Sequence, residues 1–306
     1  MSEPPAFSFP RYLRAKKSVD DRALNRYVWE AMSSALPAQT PDRPLRILEV
    51  AGGIGTMLQR IVEWGLVKYA RYTLVDIDPK NITSAREYLT AWGTQAGFSV
   101  TAEANRIVFA DEDRKIELAL HIADIFAFIQ EQDQEWDLVA ANAFLDLVDL
   151  KPALTALFAS LAPRSHIYAT INYDGLTIFE PVIDQEFDAE IARLYNQTMD
   201  ARIVAGKPSG DSQTGRHLFT AFGAAGFEVL AAGSSDWVVH SQAGRYPQDE
   251  AYFLHCIIQM VGQALGGHPT LDQARLQDWL RARRAQIEQG ELVYVAHQID
   301  YLVRKP

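Results

Sequence analysis

Residues 45–55, Leu-Arg-Ile-Leu-Glu-Val-Ala-Gly-Gly-Ile-Gly, restrict the folds open to this chain more than any other stretch. A short apolar run ends in an acid and enters a glycine turn at once, the pattern of a buried parallel strand feeding a tight turn. Glycine admits positive φ there and lets another group approach the main chain closely. Residues 56–64 follow with Met57, Leu58, Ile61, Val62 and Trp64, apolar at helical spacing. Strand, glycine turn and helix, in that order, form the unit that holds a nucleotide-like cofactor at the carboxyl edge of a doubly wound sheet.

Two cofactor classes compete for such a turn. A dinucleotide fingerprint, G-x-G-x-x-G, would use Gly53 and Gly55, but its third glycine place falls on Leu58. The run Glu49-Val50-Ala51-Gly52-Gly53-Ile54-Gly55 instead resembles motif I of the class I S-adenosyl-L-methionine (SAM)-dependent methyltransferases, E/D-x-G-x-G-x-G. Ala51 replaces the first glycine and Gly52 is additional. Charge favours this reading, because SAM carries a sulfonium and an amino group, whereas an acid beside the turn would repel a pyrophosphate.

The downstream order fits the same resemblance. Residues 72–79 make a second apolar strand ending at Asp76, 23 positions after Gly53, near the roughly 20-residue spacing of a carboxylate that takes ribose hydroxyls. Asp78 and Pro79 read as N-cap and first residue of the next helix. A third strand ends near Asp124-Ile125; in the methyltransferases an acid here meets the adenine amino group, and here it also suits an N-cap. A fourth strand, residues 136–141, runs into Asn142 and resembles the motif IV region. The resemblance covers residues 45–175, and more weakly the last third. It implies SAM as cofactor, with Glu49, Ala51, Gly53, Gly55, Asp76, Ile77, Asp124, Ile125 and Asn142 as binding residues.

Composition agrees with a globular enzyme. With 306 residues, 48% of them hydrophobic, the chain can bury a sizeable core as two domains or one elaborated α/β domain. Lys+Arg 29 against Asp+Glu 39 gives a net charge of −10, and no basic run stands out. A nucleic-acid partner is therefore not expected, and a small-molecule acceptor is. The single Cys256 allows no intramolecular disulfide and no thiolate zinc site. The first 18 residues show no apolar signal core, and residues 251–265 are too short and polar to span a membrane. The cytoplasm is the default location.

The expected architecture is α/β: a doubly wound, mostly parallel seven-stranded sheet of the class I methyltransferase type, with a helical cap built from insertions. Residues 1–44 are expected as an irregular arm, with Pro4, Pro5 and Pro10, then one helix from Ser18, together covering the active site. Residues 45–306 form the α/β domain, with a hairpin of 106–110 and 115–120, a fifth strand over 165–172, and cap insertions near 176–212 and 241–290. Both insertions leave the carboxyl edge of the sheet, which suggests a lidded pocket; a homodimer interface over 250–290 is the alternative. Methyl transfer is an in-line displacement that needs a base only when the acceptor starts protonated. Tyr173 as orienter, Asp174 as base and His240 as a further base are the catalytic candidates. Each also has a plain structural reading: Tyr173 packed, Asp174-Gly175 as a turn, His240 facing solvent. No metal is expected. The function expected is SAM-dependent methylation of an O, N or C atom of a small molecule; the alternatives are a non-catalytic SAM-binding partner subunit and an NAD(P)-dependent oxidoreductase.

Overall fold

The computed structural model of the protein describes residues 6–132, 135–204 and 206–306. Pro4 and Pro5 of the expected arm lie outside the described residues. In chain order the elements are α1 (Phe9–Ala23), α2 (Arg26–Ala35), β1 (Leu45–Val50), α3 (Thr56–Glu63), β2 (Tyr69–Asp76), α4 (Pro79–Gln95), β3 (Ser99–Ala102), β4 (Arg106–Ala110), β5 (Lys115–Ile122), α5 (Ile125–Gln130) and β6 (Trp136–Asn142). A 3₁₀ turn over Leu145–Leu147 comes next, then α6 (Leu150–Ser160), β7 (Leu161–Glu180), α7 (Gln185–Asp200), β8 (Ile203–Val204), β9 (Lys207–Pro208) and α8 (Thr214–Ala224). The chain closes with β10 (Glu228–Ser234), β11 (Trp237–Val239), α9 (Glu250–Leu265), α10 (Gln273–Gln289) and β12 (Val293–Arg304).

The main sheet runs β10-β12-β7-β6-β1-β2-β5-β4-β3, with β11 added to β12. The β5, β2, β1, β6 and β7 neighbours are all parallel, and β12 is antiparallel between β7 and β10. The doubly wound, mostly parallel architecture expected for a class I methyltransferase-type fold is therefore present, enlarged from seven strands to ten. One of the extra strands, β4, is the first arm of the expected hairpin, and β3 is a further strand paired with β4; the second arm of the hairpin is the third parallel strand itself. That leaves β4 and β3 as an antiparallel extension beyond it.

Strand alternation sends side chains to two cores. Leu45, Ile47, Tyr72 and Leu74 pack with α2, α3 and α4, while Leu48, Val50, Val75 and Val139 pack with α5, α6 and α8. A third core lies under the cap, where Tyr12 and Phe253 stack at 5.7 Å and α7, α9 and α10 close over Phe179 and Tyr294.

The N-terminal segment departs from expectation. Helix α1 begins at Phe9 instead of Ser18, with Pro10 in its first turn, where the missing N–H costs nothing. The expected single helix breaks at Asn25, whose side chain caps α2 by accepting from the Val28 N–H at 3.1 Å. Its own N–H goes to Asp300 Oδ2 at 2.8 Å. The fifth strand is also longer than expected. Residues 173–180 stay in the sheet because β12 pairs them out to Glu180, so the 176–212 insertion opens as strand and becomes helical only at α7. The 241–290 insertion is α9 and α10, as its helical spacing implied. Among the described residues no helix is long and apolar enough to cross a membrane.

Candidate active site

The turn after β1 is built by backbone conformation and by one carboxylate. Ala51 has φ of 49° and is exposed; Gly53 and Gly55 have φ of 56° and 80°, and Gly55 caps α3. Positive φ explains glycine at 53 and 55, whereas Ala51 bears a modest strain. Close approach to Gly53 does occur, but by protein: a Cβ there would lie 2.7 Å from Leu13 Cδ1 of α1.

Asp76, at the tip of β2, is buried and holds the site together. Its Oδ2 accepts from the Gly53 N–H at 2.8 Å, and its Oδ1 from the Asp78 N–H at 2.9 Å and Asn81 Nδ2 at 3.1 Å. A carboxylate offers about four acceptor positions, so roughly one remains for a ligand hydroxyl. Beside it, Asn81 Oδ1 is buried with no partner among the described residues. Ile77 and Ile122, on the adjoining tips of β2 and β5, are 70% and 58% exposed, an unusual degree for such side chains. Asp124 caps α5 with Oδ1, accepting from the Phe126 and Ala127 N–H groups at 3.0 Å each. Its other oxygen has no partner among the described residues, so capping and ligand contact are compatible. Ile125 is buried behind it. Asn142 accepts from Thr170 Oγ1 at 3.0 Å, which leaves its amide hydrogens available. Ala143, next to it, has φ of 50°. Orphaned acceptors at Asn81 and Asp124 and the exposed isoleucine faces of Ile77 and Ile122 could hold a ligand with hydroxyl and amine donors and a flat apolar ring.

Glu49 is buried and accepts from the Tyr72 hydroxyl at 2.7 Å. Burial, helped by the Asp76 charge, pushes its carboxyl up to about 8 against the opposing pull of Tyr72 and Arg60. At neutral pH it is mostly protonated, so it adds little charge to the turn.

The expected catalytic residues are not brought together with these tips. Tyr173 is packed into the cap core, its hydroxyl engaged with Thr177 Oγ1 and donating to Asn196 Oδ1, both at 2.8 Å. Asp174 is buried and clamped by Arg216, whose Nε and NH2 lie 2.9 Å and 3.0 Å from its two oxygens, while the Arg216 N–H caps it at 2.8 Å. Its lone pairs are thus spent on the start of α8. His240 is exposed, with Nδ1 on the Ser241 carbonyl at 2.9 Å. In all three the plain structural reading describes the placement. Among the described residues no cluster of three or more His, Cys, Asp or Glu is arranged for a metal.

Two further polar groups stand outside the expected site residues. Lys16 of α1 is buried, paired with Asp20 at 2.5 Å and 5.2 Å from the Trp237 ring centre. Asp146, in the 3₁₀ turn after β6, has Oδ1 buried without a partner among the described residues. Burial pushes its carboxyl up to about 6, opposed by Arg202 and Lys16. The sequence marks both only faintly: Lys16 stands beside Arg14 and Lys17 in the stretch read as an irregular arm, and Asp146 is an acid four places after Asn142.

Comparison with known proteins centres on this same region. Residues 28–178 match the family model of the spermine/spermidine synthase domain, from α2 to the far part of β7. The polyamine aminopropyltransferase of Desulforudis audaxviator (strain MP104C) is 28% identical over 170 residues, 56% of this chain and 53% of that protein. The match thus spans about half the length of this curated relative. Among solved structures, the cyclopropane synthase MmaA2 from Mycobacterium tuberculosis is 9% identical and overlaps 98% of this chain and 100% of its own, with a TM-score of 0.44. The plantazolicin methyltransferase BamL is 12% identical, covering 96% and 88%, with a TM-score of 0.42. These two overlaps do not bear on the chemistry of the site.

Proposed function

We propose that this chain is a group-transfer enzyme that holds an adenosyl sulfonium at the tips of β1, β2 and β5 and delivers one of its alkyl groups to a small amine. The observation that carries the reading is Asp76. Its carboxylate ties the Gly53 turn to the β2 tip, while the buried Asn81 Oδ1 and the second oxygen of Asp124 are left without partners among the described residues. All of these lie inside the segment that matches the spermine/spermidine synthase domain. The relative's printed activity favours aminopropyl transfer, for which decarboxylated SAM is the donor. The bound donor would supply a carbon activated by positively charged sulfur. The protein's part is to orient the acceptor and keep water out, with α1 and the two insertions as the cover.

Methyl transfer from SAM is the second reading, and Asn142 favours it. An amide at the tip of β6 can align an acceptor but cannot take its proton, which suits an acceptor that arrives uncharged. A nicotinamide cofactor is disfavoured, since Leu58 stands in the third glycine place and is fully buried in the α3 core. A partner-subunit role without chemistry would give adenosyl binding and no product.

The test is calorimetry with SAM, decarboxylated SAM and 5′-methylthioadenosine, followed by mass spectrometry of a panel of amines incubated with each donor. A gain of one aminopropyl group selects the first reading and a gain of one methyl group the second. Failure of all three adenosyl compounds to bind would remove both.

A further inference from the structure

Past the start of α8 the sheet continues as a three-stranded ribbon made of the far half of β7, the near half of β12, and β11. Alternation sends Phe179, Trp237, Val239, Tyr294 and Ala296 into the core under the cap. The positions between them face the other way and include Leu176, Ile178, Val238, Val293 and Val295. An antiparallel sheet that shows one face to water ordinarily carries polar side chains on it. Here Leu176 and Val238 are each 48% exposed and Ile178 is 37% exposed, with the two valines of β12 half-buried among them. Strand register sets Val238, Val295 and Ile178 side by side in one row across the ribbon. Helix α8 stops short of that row, because its first turn is fixed to Asp174 through the Arg216 N–H and guanidinium. A contiguous apolar face with a polar rim marks an association surface.

The rim says what that face fits. At one end its charges are already matched within the chain: His297 Nδ1 lies 2.7 Å from Asp236 Oδ1, and His297 Nε2 lies 3.6 Å from Asp174 Oδ2, which Arg216 also holds. At the other end they are not. Glu180 pairs beside Val293 on one side, and His240, the residue after Val239, continues β11 on the other. One Glu180 oxygen accepts from the Val182 N–H at 2.9 Å, and the second has no hydrogen-bond donor among the described residues. His240 Nδ1 lies on the Ser241 carbonyl at 2.9 Å, which leaves Nε2 without a partner among the described residues. Acid and imidazole thus flank Val293 on opposite strands. Two copies laid face to face about a two-fold axis along β12 bring Val295 onto its own image and Val238 onto Ile178. The same half-turn brings His240 of each copy onto Glu180 of the other. Apolar row and charged corners are both self-complementary, as an isologous contact requires.

We infer that the open face of β7, β12 and β11 is a docking surface for a second copy of this chain. It lies on the side of the sheet opposite the cap formed by α7, α9 and α10, and it is independent of the donor and acceptor proposed above. Three strands of three outward positions cover roughly 200–300 Å² per copy, against about 800 Å² per partner in a stable complex of standard size. Val182 and Ile183, 51% and 41% exposed just past Glu180, extend the patch at its edge. The association is therefore weak and reversible, a dimer populated at micromolar concentrations and above.

The test is analytical ultracentrifugation of the full chain from about 1 to 300 μM, where the wild type is expected to pass from monomer toward dimer. Ile178→Lys and Val238→Lys, each at an exposed position, are expected to weaken that dimer by about tenfold or more. Glu180→Arg and His240→Glu each set like charges opposite one another and are expected to weaken it as well. The double variant Glu180→Arg/His240→Glu restores unlike charges and is expected to recover the wild-type dimer. A wild type that stays monomeric at the highest concentration overturns the inference. So does a dimer that survives both lysine variants, since it must form through another face. A double variant no tighter than its two single variants overturns the two-fold pairing on which the inference rests. Circular dichroism and the melting temperature establish that each variant is folded. Should a lysine variant fail to fold, the charge-reversal set, which leaves the apolar row intact, decides the matter.

Discussion

Under the proposed function, Asp76 combines two jobs that a sequence reading separates. A strand-end acid waiting for ribose hydroxyls could be removed with the fold intact, but this one accepts three hydrogen bonds from its own protein. Asp76→Ala strands the Gly53 and Asp78 N–H groups and the Asn81 amide. It is expected to cost about 2–4 kcal/mol of stability as well as adenosyl affinity, measured by denaturant unfolding beside calorimetry. An affinity loss with unchanged stability would contradict that dual role. Glu49 offers a pH signature. Its carboxyl, pushed from 4.5 to about 8, binds its proton more tightly folded than unfolded. Its contribution is therefore full below about pH 4.5 and falls as pH rises toward about 8, by at most about 1.4 kcal/mol per unit. Glu49→Gln, which can still accept from Tyr72, should flatten the decline of melting temperature across that window. A variant whose melting curve falls as steeply as the wild type's would show that other groups set the slope.

At the scale of elements, α1 is the least expected and the most consequential. It lays Leu13 on Gly53 and is fixed to α9 at both ends, but the two ends differ in strength. Arg11 meets Asp249 at 2.9 Å with both side chains about half exposed, a pair worth roughly 0–1 kcal/mol. At the other end Glu250 is fully buried and accepts from Ser18 Oγ at 2.7 Å and from Arg22 at 2.6 Å and 2.9 Å. Glu250→Ala should cost about 3 kcal/mol and speed amide exchange across residues 9–23, whereas Arg11→Ala should do neither. Equal effects from the two would mean that packing of Tyr12 alone seats the helix. A second element carries strain next to the site: Ile171, a β-branched residue with φ of 58°, is held in β7 by donating its N–H to Asp300 Oδ1 at 2.7 Å.

Over the whole molecule, the cap is continuous with the sheet. Ile171, Phe179, Tyr294 and Ala296 of β7 and β12 belong to the same apolar cluster as Phe253 and Leu254 of α9. Sheet and cap should therefore unfold in one transition. Phe253→Ala is expected to lower that transition by about 3–5 kcal/mol, read by calorimetry. A second, earlier transition in the variant would show the cap to be a separate cooperative unit.

Much of the geometry of the strand tips proposed to hold a nucleoside was legible because its signals are local. Glycine at 53 and 55 meets a positive φ within one turn, and strands β1, β2 and β5 each end where an apolar run meets Gly52, Asp76 or Asp124. The catalytic side was not legible, because what a strand-end tyrosine, acid or histidine does depends on remote partners. Thr177 and Asn196 take the Tyr173 hydroxyl, and Arg216, 42 positions away, takes Asp174. Periodicity and turn chemistry by themselves determined the α/β class, the order of the parallel strands and the acids at their tips, since those depend on neighbours a few residues apart. Only tertiary packing decided that α1 roofs the turn, that Asp300 clamps residues 275 and 129 positions away, and that Asp146 keeps an oxygen unspent. Contacts between such distant positions leave no period in the chain, because they follow from which surfaces are left to bury once the sheet has formed.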